Sequence, residues 1–79
     1  MSWIYDKDRE KILELIYLNQ SYNGITLNHL INLSGLPLNQ LKRILRDLER
    51  AGFIEQVDWR RRYKVTEEGK FRLNGKNHS

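Results

Sequence analysis

The residues of this chain best equipped for chemistry are amides and cations, gathered in two places. Asn39, Gln40, Lys42, Arg43 and Arg46 crowd one segment, and Arg60, Arg61 and Arg62 stand in a row further on. Asn, Gln and Arg can each meet the edge of a base in two places at once, while Lys and Arg also neutralise phosphates. Catalysis finds no such support. The absence of cysteine excludes a disulfide scaffold and a thiolate metal site. His29 and His78 are far apart, no Ser-His-Asp set occurs, and Gly69-Lys70 and Gly75-Lys76 lack the spacing of a phosphate-cradling loop. The expectation is a chain with no enzyme activity, no cofactor and no metal.

Charge position sharpens this reading. The chain has 79 residues and a formal net charge of +4, enough for one domain around one small core. Residues 1–20 carry three basic and four acidic groups, 21–37 none, 38–65 eight basic and four acidic, and 66–79 three basic and two acidic. The excess therefore sits on 38–65, as an electrostatic footprint for a polyanion does. No N-terminal apolar run resembles a signal peptide and no stretch has the length of a membrane span, so a cytoplasmic protein without a membrane partner is expected.

The elements that must position these groups follow from apolar spacing. A first helix is expected over 6–20, with Asp6 as N-cap, Asp8 and Glu10 in its first turn, and Ile12, Leu15, Ile16 and Asn19 on one face, widened by Leu13 and Leu18. Ser21-Tyr22-Asn23-Gly24 is turn chemistry, and Ile25 suits a short strand that pairs with a later hairpin. Thr26 caps a second helix that buries Leu27, Leu30 and Ile31, and Gly35 stands where a helix end wants a left-handed residue. Pro37 suits the first turn of a third helix over 38–51, which buries Leu41, Ile44, Leu45 and Leu48 with Leu38 and Ala51 at its ends. Asn39, Gln40, Lys42, Arg43, Arg46, Asp47, Glu49 and Arg50 are left outside. A hairpin runs from Phe53 to Val65 through the tip Asp58 to Arg62, with Tyr63 and Val65 inward. Thr66 then opens a short last helix anchored by Phe71. Residues 1–73 form a single domain and 74–79 a disordered polar tail.

Several phrases resemble a winged helix-turn-helix domain, as in MarR-like and PadR-like transcription regulators of bacteria and archaea. Leu33-Ser34-Gly35-Leu36 looks like the turn of the motif. Leu41 to Ile54 is similar to a recognition helix running into the first wing strand, and Arg62 to Gly69 resembles the second wing strand and the start of a C-terminal helix. The family often places Ser or Thr where Pro37 stands, so a phosphate contact from that position is not carried over. The resemblance implies an α+β winged helix and a sequence-specific regulator of double-stranded DNA, acting as a homodimer. Its third helix would enter the major groove and its wing, 53–65, would lie on adjacent backbone or minor groove. Asn28 and His29 on the second helix would lie near phosphates, Asn39, Gln40, Lys42, Arg43 and Arg46 on the groove, and Arg60, Arg61 and Arg62 at the wing.

Plainer readings stand beside these. The cations of the third helix could form a solvated face, and the arginine tip could simply keep an edge strand soluble. Trp59 could stack within the hairpin or on a partner. Trp3, Ile4 and Tyr5 could cover the domain's own edge or a second copy. The rival class is a winged helix used only as a protein-interaction module, which needs neither the charge bias of 38–65 nor the arginine tip. Binding of RNA or single strands would lean on Trp59 and Tyr22.

Overall fold

A computed structural model describes residues 7–57 and 61–76 of the chain. The expectations for Trp3, Ile4, Tyr5, Asp6, Trp59, Arg60 and His78 fall outside these residues. Among those described, the order is α1 (Lys7–Asn19), α2 (Leu27–Ser34), α3 (Leu38–Arg50), β1 (Ile54–Gln56), β2 (Tyr63–Val65) and α4 (Glu67–Lys76). This is the winged helix-turn-helix architecture: a three-helix core, a two-stranded wing and a closing helix.

The core forms where the apolar stripes meet. Ile12, Leu13 and Ile16 of α1 and Leu30 of α2 are buried with Leu41, Ile44, Leu45 and Leu48 of α3, and Ile54, Tyr63, Val65 and Leu73 close the cluster. Leu15, Leu27 and Ile31 are partly buried against it. Two side chains expected on the inner face of α1 stay outside: Leu18 is exposed, and exposed Asn19 donates its Nδ2 to the Leu15 carbonyl at 2.9 Å. The face of α1 is narrower than its spacing suggested because α2 and α3 both meet it along the Ile12–Leu13–Ile16 line. Leu38, in the first turn of α3, is likewise exposed. Phe71 is not the anchor of α4. It points outward and Leu73, two residues on, is buried instead, because α4 turns its other face to β2.

Local chemistry sets the junctions. Thr26 Oγ1 accepts the His29 N–H at 3.2 Å and caps α2. Gly35 ends α2 with φ 71°, the left-handed geometry a helix end favours, and its N–H bonds the Ile31 carbonyl. Pro37 sits at the N-cap of α3 with φ −59° and ψ 147° and offers no side-chain cap. It stands one position earlier than the first turn, since its extended ψ is not helical.

The strands pair antiparallel, Ile54 with Val65, Glu55 with Lys64 and Gln56 with Tyr63. Ile25 pairs with Tyr63 on the other edge through reciprocal backbone bonds of 2.9 and 2.8 Å, so the turn before α2 is stitched to the wing as expected. Gln20 adds a contact that periodicity does not reveal, its Oε1 accepting the Val65 N–H at 2.8 Å. Thr66 joins α4 to the wing: its Oγ1 donates to the Gly52 carbonyl at 2.6 Å and accepts the Gly69 N–H at 3.1 Å. Helix α4 continues to Lys76, into the segment expected as a tail.

Candidate nucleic-acid interface

Helix α3 has four buried residues, and its geometry sorts the others into an outer stripe and two flanks. At 3.6 residues per turn, Asn39, Arg43, Arg46 and Arg50 line up opposite Leu41, Ile44, Leu45 and Leu48, and all of this outer stripe is exposed. Lys42 and Glu49 flank it toward the wing. Gln40 and Asp47 flank it toward α1. The polar positions expected to act together on α3 are thus divided between two environments.

On the wing side lies a recess of about 720 Å³. Thr26, Leu27 and Asn28 from the start of α2, Lys42, Arg46 and Glu49 from α3, and Gln56, Arg61 and Tyr63 from the wing line it. Gln56 Nε2 donates to Glu49 Oε2 at 3.2 Å and links β1 to the recognition helix. Tyr63 is buried at the foot of the recess. Burial and the neighbouring Glu49 carboxylate raise its pKa above the ordinary 10.0, while Arg61 pulls it the other way. The recess brings together Asn28, Lys42, Arg46 and Arg61, which offer cations and an amide to an anionic strand.

On the α1 side lies a recess of about 420 Å³ lined by Asp8, Arg9, Pro37, Asn39, Gln40, Arg43 and Ile44. Arg9 donates from Nε at 2.9 Å and also from Nη2 to Asp47 Oδ2. Asp47 is therefore half-buried and engaged rather than simply outside. Gln40 Nε2 donates to Asp8 Oδ2 at 3.3 Å. A second ion pair, Arg72 Nη2 to Glu10 Oε2 at 2.8 Å, ties α4 to α1.

The expected site residues separate as follows. Asn39, Arg43 and Arg46 share the outer stripe, with Lys42 at its edge. Asn28 stands in the wing-side recess. His29 is exposed on α2, but it does not line that recess. The arginine row does not form one patch: Arg61 lines the recess, whereas Arg62 is half-buried against the 21–24 turn, where its Cβ would lie 3.1 Å from a Cβ placed on Gly24. Arg61 holds φ 60°, a left-handed backbone that branches the two side chains apart. Sequence reasoning left out Arg50, although its spacing from Arg43 and Arg46 was visible. It also left out Thr26, Gln56 and Asp8, which reach the site only through tertiary packing. Among the described residues no group of His, Asp and Glu is placed to hold a metal, and no helix is long and apolar enough to cross a membrane.

Comparison with known proteins bears on the fold and the family. No curated protein matches the chain significantly. The crystal structure of an IclR transcriptional regulator from Silicibacter sp. TM1040 is similar over 92% of this chain, with a TM-score of 0.70 and 26% identity. The chain spans 28% of that regulator's length. The family model of the IclR helix-turn-helix domain matches residues 12–58, a stretch that begins in the middle of α1 and contains α2, α3 and β1. The MarR-like and PadR-like resemblance thus named the right fold through the wrong families, because the turn and wing phrases are shared across winged helices. With that match extending over more than half of its residues, the chain belongs to the IclR helix-turn-helix domain family.

Proposed function

We propose that this chain is the DNA-binding part of a transcription regulator. Helix α3 reads the major groove of a duplex and the wing lies on the neighbouring backbone or minor groove. The observation that carries the reading is the outer stripe Asn39–Arg43–Arg46–Arg50, set beside Lys42, Arg61 and Asn28 across an open recess. A stripe of this kind offers base-edge donors at its N-terminal half and phosphate partners along its length. Membership of a helix-turn-helix family supports it further.

The two parts are expected to do separable work. Arg43→Ala should cost on the order of 1–3 kcal/mol on a selected site and much less on random duplex, because Arg43 can meet a base edge. Arg61→Ala should weaken both duplexes by similar factors and reduce the salt slope by about one unit, as loss of a phosphate contact does. Mobility-shift titrations of both variants on both duplexes decide this. Equal losses for Arg43→Ala on selected and random DNA would contradict the assignment.

The same reading includes pairing of two copies, so that two half-sites about 34 Å apart are held together. Phe71, 79% exposed on α4 beside half-buried Phe53, is the apolar surface that supports it. Phe71→Asp should shift the chain from dimer to monomer in sedimentation at about 100 µM, roughly the range where a marginal interface responds, and leave its circular dichroism unchanged. A wild-type chain that is monomeric at every concentration, with a footprint of one half-site, would refute pairing.

A further inference from the structure

We infer that Asp8 is a positioning residue that fixes the side-chain amide of Gln40, so that Gln40 meets the base edge as an acceptor and selects adenine or cytosine. The inference deepens the duplex-reading proposal and rests on it. A carboxylate only accepts hydrogen bonds and an amide donates only through its nitrogen. The group Gln40 turns toward Asp8 Oδ2, 3.3 Å away, must therefore be its NH₂. Flipping the amide would set oxygen against oxygen. The opposite atom, Oε1, is then the one turned from α1.

Asp8 is exposed, and its neighbour in the chain is anchored. Asp8 lies in the first turn of α1, next to Arg9, whose guanidinium grips Asp47 two turns further along α3 on the flank that carries Gln40. Ile12 and Leu13, buried in the next turn of α1, hold that helix in the core beside α3. Gln40 adjoins Asn39 at the start of α3 and shares its recess with Asn39 and Arg43. In the major groove adenine N6 and cytosine N4 present donors, whereas guanine and thymine present O6, N7 and O4 acceptors. An outward acceptor rewards the first pair and leaves the second facing like with like.

The test is selection of duplexes from a randomised pool by the 79-residue chain and by Asp8→Ala, Asp8→Asn and Gln40→Ala variants, with side-chain amide NMR of Gln40 in the free protein. The wild type should enrich adenine or cytosine at one position by roughly tenfold over guanine and thymine. All the variants should flatten that position alone. Asn can turn either end of its amide to Gln40, so Asp8→Asn keeps size but loses the instruction. The Gln40 Nε2 proton signals should move in Asp8→Ala while α3 backbone signals stay in place. Uniformly tighter binding by Asp8→Ala with the base preference unchanged would show that Asp8 acts only as a charge, and would overturn the inference. Unmoved Gln40 amide signals would overturn it as well. Failure of the wild type itself to enrich any sequence is the distinct result that removes the duplex-reading proposal and this assignment with it.

Discussion

Gly69→Ala should unfold or severely weaken the domain, although Ala is the better helix former by about 1 kcal/mol. A Cβ at position 69 would lie 2.2 Å from the Phe53 carbonyl oxygen and 2.6 Å from Val65 Cγ1. Neither neighbour can give way cheaply. The Phe53 carbonyl accepts the Thr66 N–H at 3.0 Å and Val65 is buried in β2. Helix α4 would have to retreat from the wing, which breaks the Thr66 bonds to Gly52 and Gly69 and exposes Leu73. Overpacking of this kind costs about 3 kcal/mol, and the melting temperature should fall on the order of 15 °C in so small a domain. Gly35→Ala is the control. A Cβ there meets nothing, so only the φ of 71° opposes it, at about 1 kcal/mol. Thermal melts followed by circular dichroism separate the two. A Gly69→Ala melt equal to or above wild type would show that α4 does not press on the wing as described.

Gly69 also illustrates what the sequence hides. A glycine inside Glu67-Glu68-Gly69-Lys70 reads as a weak spot in a helix, and only the packed structure shows a backbone carbonyl against its α-carbon. The fold as a whole was legible because its signals are local and redundant. Thr26, Gly35 and Pro37 mark helix ends by their own chemistry, and Leu41, Ile44, Leu45 and Leu48 give one uninterrupted apolar face. Phe71 was misjudged for the opposite reason. In a short helix of mixed residues, Phe71 and Leu73 lie on different faces, and hydrophobicity alone favours the larger one.

The candidate interface was legible to a similar depth. Asn39, Arg43 and Arg46 could be placed on the outer face from spacing. That Gln40 leans to α1, that Asp47 grips Arg9, and that Arg61 and Arg62 part company depend on contacts between residues far apart in sequence or on one backbone angle. Periodicity carries no information about such pairs.

The charge bias of 38–65 has the other large consequence. Lys42, Arg43, Arg46, Arg50 and Arg61 lie on the outer stripe and the wing-side recess, and Arg60 precedes Arg61 in sequence. If about six phosphates are neutralised, each releases close to one counterion, and log affinity should fall with log salt at a slope of roughly −5. Between about 50 and 200 mM salt this is a loss of roughly a thousandfold. Mixed surface charges do not produce such a slope, since the acidic groups on 1–20 offset the basic ones there. An interaction module has no reason to produce it with DNA at all. The direct measurement is fluorescence anisotropy of a labelled duplex titrated with the 79-residue chain at these two salt concentrations. A steep loss of affinity near a thousandfold is the expected result; a flat salt dependence, or no binding even at the lower salt, would contradict the account.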